Sequence, residues 1–479
     1  MAPRTPAPPP LRCHAGRPPK GDTHARPHHP SRHPRPRPRR QRRRRRHHRL
    51  GRQQRHPALP HRPHRPVHRR HPARRRHHPP LRRLRLPRHH HLRPPPAGHP
   101  LRRHPPAAHH RPHRPARRTT RLRLGPGRQI APDGTPWPYD QRTALERQLA
   151  RAADLGITLR AGYEIEFHLS AADDPRDDPR PVYDGPSYGP VKMLAVDAFA
   201  EQLLRDLNRN GVPIGQLHGE YGPGQYELNI APTDPLTAAD HQLLTRQTIH
   251  AAAHHHGLRA SFAPLVTPGH VGNGWHLHTS PSHNGTNLLS GGDGPAGLTP
   301  QGAAYLAGLL RDLPAITAIT APSLSSLQRL RPGYWSGAYT CWGIENREAA
   351  LRLIPSTPLL GPDHANIELK PSDAAANPYL ALTAVIAAGL AGIEDRLAPP
   401  GPIQEDPATW TDQQRADHGI HRLPTTVQQQ LRALHDNPRI RAALGDDLID
   451  AFRAVRTSDA DRAADLDPAA IIRAYRWLY

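Results

Sequence analysis

Between residues 120 and 137 the chain changes character so sharply that only the portion C-terminal to this junction can bury a core. Residues 1–120 contain no Phe, Trp or Tyr, and one acid, Asp22, against 36 of the 67 Lys and Arg. They also hold 28 of the 61 prolines and 22 of the 37 histidines. Stretches such as Arg42–Arg46 and Pro94–Pro96 show no apolar periodicity, so the segment cannot offset its own conformational entropy and is predicted to be disordered. An Arg-rich arm of this kind would bind nucleic acid or other polyanions through their charge. Lacking aromatic platforms for bases, it would do so unspecifically. Arg, Pro, His, Ala and Gly are also what GC-rich codons give when translated out of frame, which would make the change a frame junction instead of a linker. Residues 1–125 are therefore expected to be a low-complexity Arg/Pro/His-rich segment, disordered or out of frame.

The formal net charge of +27 describes neither part well: residues 1–120 carry +35 and residues 121–479 carry −8. Two cysteines, Cys13 and Cys341, exclude a disulfide framework and a cysteine-rich zinc site and predict a reducing, cytoplasmic setting. No run of roughly 18 apolar residues is present, so no membrane span is expected. The basic N-terminus lacks the apolar stretch of a secretory signal.

From Trp137 the pattern is that of an enzyme domain. Helical spacing of apolar residues predicts helices over 141–155, 193–210, 235–256, 301–320 and 373–392, and a helical tail over the last sixty residues. Alternation predicts strands at 161–169 and 275–280, and the glycine-punctuated stretch 220–230 reads as a turn feeding a third. The mixture is α+β or α/β, with ample length for a large core.

The chemistry lies on those strands. Residues two apart on a strand face the same way, so Glu164 and Glu166 project together, as do His276 and His278. Glu220 and Glu227 flank the turn GPGQ. Carboxylates with imidazoles and few thiolates suit Mg²⁺ or Mn²⁺. Arg329, Arg347 and Arg352, with Glu368 and Lys370, supply a basic counterpart able to grip a triphosphate and a phosphoryl group in transfer. Each piece alone is weak: an E-x-E is usually a solvated face, and the five-residue spacing of Arg347 and Arg352 is what an exposed helix offers by chance. Their order is what carries weight.

That order resembles the glutamine synthetase family over roughly residues 130–400. The resemblance is carried by GYEIEF (162–167), EYGPGQYE (220–227), GNGWHLHTS (272–280), SLQRLRPGYW (326–335), WGIENREAALR (342–352) and the stretch beginning IELKPSD at 367. It implies an α+β catalytic domain over 130–479, a curved antiparallel sheet flanked by helices, in ring-shaped homo-oligomers. By the same resemblance Glu166, Glu220 and Glu227 hold one divalent ion and Glu164, His276 and Glu368 the second, two per site. His278 and Arg352 lie against the ATP phosphates and Ser280 near the adenine. Gly272, Arg329 and Lys370 contact glutamate, Arg347 and Arg352 neutralise the transferring phosphoryl group, and Glu220 shares in catalysis. The implied reaction is nitrogen-metabolism chemistry: ATP phosphorylates the γ-carboxylate of glutamate, and ammonia or a small amine displaces phosphate.

Three departures bear on function. Ammonia-using members carry a flap glutamate after P-G-Y, where this chain has Trp335, which cannot take a proton but can line a pocket for an organic amine. This points toward the γ-glutamylpolyamine branch. Lys370 stands where an arginine is usual and loses the bidentate fork. Residues 1–120 do not match the family's N-terminal β-grasp domain, which in the ring completes a neighbour's site. The alternatives are therefore ordinary glutamine synthesis, a catalytically impaired relative without a β-grasp domain whose basic tail binds polyanions unspecifically, and an Arg-rich nucleic-acid binder with a vestigial enzyme domain.

Overall fold

The computed structural model describes residues 124–172 and 179–479; the expectations attached to residues 1–120 lie outside the described residues. Nine strands form one sheet among them: β1 (Ile157–Ala171), β2 (Ile214–Gly219), β3 (Gln225–Thr233), β4 (Leu258–Ser261), β5 (Trp275–His283), β6 (Thr286–Asn287), β7 (Trp342–Ile344), β8 (Leu351–Ile354) and β9 (Asn366–Leu369). Their order is β2-β3-β1-β5-β9-β8-β7, with β4 paired to β1 and β6 to β5. Pairing is antiparallel except between β7 and β8, which run parallel at the edge.

The sheet's two faces are written into β1. Ile157, Leu159, Ala161, Tyr163, Ile165, Phe167 and Leu169 are all buried, every second residue, and they enter the core, where Tyr163 stacks on Trp275 at 4.4 Å. The alternate positions, Glu164 and Glu166 among them, therefore take the opposite face. The helices in the first part of the chain are α1 (Gln141–Asp154), α2 (Pro190–Leu194), α3 (Asp197–Arg209), α4 (Pro235–His255), α5 (Pro300–Thr320), α6 (Leu324–Arg329) and α7 (Pro378–Glu394). The tail adds α8 (Asp412–Asp417), α9 (Val427–His435), α10 (Pro438–Leu444), α11 (Asp446–Arg462) and α12 (Pro468–Tyr475). α7 is apolar almost throughout and packs along α5, close enough that a Cβ at Gly308 would stand 2.2 Å from the Ala388 carbonyl oxygen. Among the described residues no helix is long and apolar enough to cross a membrane.

Two helix expectations are corrected. The segment 193–210 is split, because the backbone at Ala195 and Val196 separates α2 from α3. The helix expected from 373 starts at Pro378: the Asn377 side chain accepts from the N–H groups of Tyr379 and Leu380, and proline suits the first turn. The Arg347/Arg352 stretch is not helical either, since Arg352 lies on β8 and Glu345 sits at φ +54°.

Candidate active site

Strand register turns residues scattered through the sequence into neighbours. Glu166 on β1 lies opposite Glu227 on β3, and Glu164 lies opposite His276 on β5. Farther across, His278 faces Glu368 on β9, and Glu368 faces Arg352 on β8. Directly opposed residues share a face, so one row of carboxylates and imidazoles crosses the sheet and ends on an arginine.

Two knots form along that row. In one, ligand atoms of Glu164, His278 and Glu368 lie within 4.8 Å of one another. His276 joins it, its Nδ1 standing 3.1 Å from Glu164 Oε2 and 3.3 Å from Glu368 Oε1. In the other, His218, Glu220 and Glu227 meet within the same limit, with His218 Nε2 3.3 Å from Glu227 Oε1. Glu166 lies between the knots. Its Oε2 accepts from Gln225 Nε2 and from the Gly274 N–H, both at 2.8 Å, and its Oε1 is 3.9 Å from His276 Nε2.

The electrostatics are those of a cation site. Burial, then the charges of Glu166 and Glu227, push the Glu220 carboxyl up to about 7. Burial and the charges of Glu164 and Glu166 raise Glu227 as well. Hydrogen bonding to Glu227 lifts His218 to about 9. Burial alone would lower His278, but its ion pair with Glu164 prevails and lifts it to about 9, while Asn366 Oδ1 accepts from its Nδ1 at 2.9 Å. Carboxylates buried and crowded enough to be raised in this way form a donor set fitting a divalent ion. Glu220 must lose its proton to bind one. Affinity for Mn²⁺ should therefore fall by about tenfold per unit as pH drops below about 7. In thermal-shift titrations Mn²⁺ should raise the melting temperature more at pH 8 than at pH 6; equal shifts would contradict this arrangement.

The basic and neutral members expected from the sequence fall around the row. Arg329, at the end of α6, is buried, donates from Nη1 to the Ser372 carbonyl at 3.1 Å, and brings Nη2 to 3.5 Å from His276 Nε2. Gly272 lies against it: a Cβ there would stand 2.4 Å from the Pro264 carbonyl oxygen and 2.9 Å from Arg329 Cγ. Arg352 bonds both Glu345 and Glu368, the latter at 3.2 Å. Lys370 is buried and donates to Glu368 Oε1 at 3.0 Å, so its ammonium is engaged by a carboxylate of the row. Arg347 is exposed, and no carboxylate lies within 4.0 Å of its guanidinium among the described residues. Ser280 continues the β5 face and donates to the Ala365 carbonyl at 2.9 Å. Trp335 is exposed at φ +51°, its ring edge-on to Tyr221 at 5.6 Å. Holding a bulky residue in that conformation costs on the order of 1–3 kcal/mol, and such strain gathers at functional sites.

Other members escaped the sequence reading. His218 precedes Glu220 by two on an extended stretch, the same spacing that singled out Glu164/Glu166 and His276/His278. Gln225 ties Glu166 to the Gly272 carbonyl and to Asn273 Oδ1. Lys192 is buried and donates to the Glu220 and Gly222 carbonyls, fixing the turn that presents Glu220; its solitary place in the sequence gave no signal. Gly274 leaves the room the site needs, for a Cβ there would stand 2.5 Å from His276 Nε2.

Comparison with known proteins identifies the family. Residues 138–470 match the family described as "Glutamine synthetase, catalytic domain". The chain is 44% identical over 369 residues to gamma-glutamylpolyamine synthetase GlnA3 of Streptomyces coelicolor, covering 76% of this chain and 79% of that one. It is 34% identical over 334 residues to the glutamine synthetase of Thermus thermophilus, covering 69% and 74%. Among solved structures, a novel glutamine synthase homolog superposes with a TM-score of 0.65 at 34% identity, over 74% of this chain and 78% of that one. A GmaS/ADP complex does so with 0.61 at 31%, over 70% and 77%. With a catalytic-domain match over most of its length and relatives of this similarity, the chain belongs to the glutamine synthetase family, whose members are ligases forming C–N bonds.

Proposed function

We propose that the protein is an ATP-dependent ligase that joins the γ-carboxylate of glutamate to an organic amine through γ-glutamyl phosphate. The observation that carries this reading is the row from Glu227 to Arg352, with an aromatic residue, Trp335, where an acid would serve ammonia. Glu166, Glu220 and Glu227 would hold one Mg²⁺ or Mn²⁺, and Glu164, His276 and Glu368 the other. Bound ions of this kind neutralise phosphate charge. The 44% identity to a protein named as a γ-glutamylpolyamine synthetase supports the choice of amine.

The chain's own groups divide the work. Arg329 receives the substrate α-carboxylate beside Gly272. His278, kept protonated by Glu164, lies against the ATP phosphates with Arg352, and Ser280 faces the nucleoside. A γ-carboxylate oxygen attacks the γ-phosphorus as the bond to the bridging oxygen breaks and ADP leaves. Arg347 and Arg352 stabilise the negative charge in transit. The amine nitrogen then attacks the carbonyl carbon and expels phosphate, and Glu220 takes the proton the ammonium gives up. Assembly into a ring and a cytoplasmic setting belong to the same reading.

Phosphate release with ATP, glutamate and Mg²⁺ tests it, comparing ammonium with putrescine, spermine and ethanolamine. Organic amines should support turnover better than ammonium. Activity with ammonium alone would refute the amine assignment, and no release with any acceptor would favour the impaired relative.

A further inference from the structure

The segment that carries Trp335 is tied to a carboxylate that the proposed ligase chemistry leaves unused. The Trp335 backbone N–H donates to Glu348 Oε1 at 3.3 Å. Glu348 is half buried. Burial, followed by the charge of Asp406, pushes its carboxyl up, and the Trp335 N–H and Lys370 draw it down. Among the described residues no Lys, Arg or His nitrogen lies within 4.0 Å of it, although Glu345 and Glu368 close by are both paired. A carboxylate partly withdrawn from water with no cation in ion-pair contact is unfavourable, and a cationic ligand would relieve that.

Aromatic rings link the Trp335 segment to the carboxylate row. Tyr221 follows Glu220 directly and donates its N–H to Glu220 Oε2 at 2.8 Å. Its ring meets Trp335 edge-on at 5.6 Å and 86° on one side and Tyr188 at 6.2 Å and 62° on the other. Tyr188, Tyr221 and Trp335 are 55%, 48% and 47% exposed. Tyr188 and Trp335 are both held at positive φ, where bulky side chains are rare. A chain of contacts thus runs from an acid in the row, past exposed aromatic faces that suit alkyl chains and ammonium groups, to a second acid with no cation in ion-pair contact. An alkyl chain with an ammonium at each end offers a partner to both acids and to the rings; ammonium and monoamines offer one to a single acid.

We infer that Glu348 is a specificity residue that receives the distal ammonium of a diamine or polyamine, whose other nitrogen attacks the acyl phosphate while its carbon chain lies along Tyr221 and Trp335. The distal nitrogen keeps its proton and forms no bond in the reaction. The inference rests on the amine-ligase reading and adds to it which amines are chosen and by what group.

Putrescine and butylamine share a four-carbon chain and differ by one ammonium, so their ratio isolates the distal charge. The full chain and its E348Q and E348D variants would be assayed for phosphate release with each amine, and for binding of each amine by calorimetry. The wild type should favour putrescine by about tenfold or more, in KM more than in kcat, as one charge-assisted contact provides. E348Q should bring the ratio close to one, and E348D should restore part of it. A putrescine preference that survives E348Q, in a variant whose melting temperature shows it folded, would overturn the inference while leaving the ligase reading intact. Equal use of the two amines by the wild type would overturn it as well. Release of phosphate with ammonium alone would refute the organic-amine assignment, and no release with any acceptor would sink the ligase reading; in either case calorimetry would still decide Glu348. Putrescine binding that E348Q weakens supports its role, and putrescine binding that E348Q leaves unchanged, or none at all, overturns it.

Discussion

Replacing Glu368 with alanine should abolish amine-dependent phosphate release, by about 10³-fold or more, which corresponds to roughly 4 kcal/mol of lost transition-state stabilisation. The residue is 1% exposed and stands where three strands' chemistry meets. It accepts from Arg352 at 3.2 Å and Lys370 at 3.0 Å and lies 3.3 Å from His276 Nδ1. Burial alone would raise its carboxyl, but the charges of Lys370, His276 and His278 prevail and hold it at about 2. Removing it takes away a proposed metal ligand and leaves Lys370 buried without its anion, a loss on the order of 3–5 kcal/mol. The melting temperature should therefore fall by about 5–10 °C, at roughly 2 °C per kcal/mol for a domain of this size. Glu368→Gln separates the two effects. The amide still accepts from Lys370, so stability should suffer less, while turnover and the Mn²⁺-induced thermal shift should be lost nearly as completely. A Glu368→Gln protein with full activity and an undiminished Mn²⁺ response would show that the row of carboxylates is not the metal centre.

How much of the fold and site was legible in the sequence depended on whether a residue's role is local. Glu164/Glu166 and His276/His278 could be paired from spacing alone, because strand alternation is a property of the segment itself. That Glu166 faces Glu227, or that Glu368 joins His278 to Arg352, is set by register between strands far apart in the chain. Only the resemblance of ordered motifs brought those residues together in advance. Lys192 and Gln225 stayed hidden for the same reason: each acts through carbonyls and carboxylates supplied by other segments. β9 and β8 were missed because four-residue strands offer too little alternation to stand out from loops. The split between α2 and α3 and the late start of α7 were missed because apolar spacing continues across a break that backbone geometry or a capping asparagine imposes.

Arg347→Ala should lower kcat by about 10²–10³-fold, the range seen when a single preorganised donor to transition-state charge is lost. The two arginines of the NREAALR stretch differ in a way that makes this the cleaner test. Arg352 already holds Glu345 and Glu368, so its removal would disturb a proposed metal ligand along with any phosphoryl contact. Arg347 is exposed and has no carboxylate within 4.0 Å among the described residues, so truncating it should leave the melting temperature and the Mn²⁺-induced shift unchanged. If it stabilises the phosphoryl group in flight, kcat and kcat/KM should fall together while KM for ATP and glutamate stays near the wild-type value. Arg347→Lys should recover little, because an ammonium lacks the planar fork that spans two phosphoryl oxygens. A rise in KM for ATP with kcat preserved would instead make Arg347 a ground-state contact. The charge developing during transfer would then fall to Arg352 and the divalent ions.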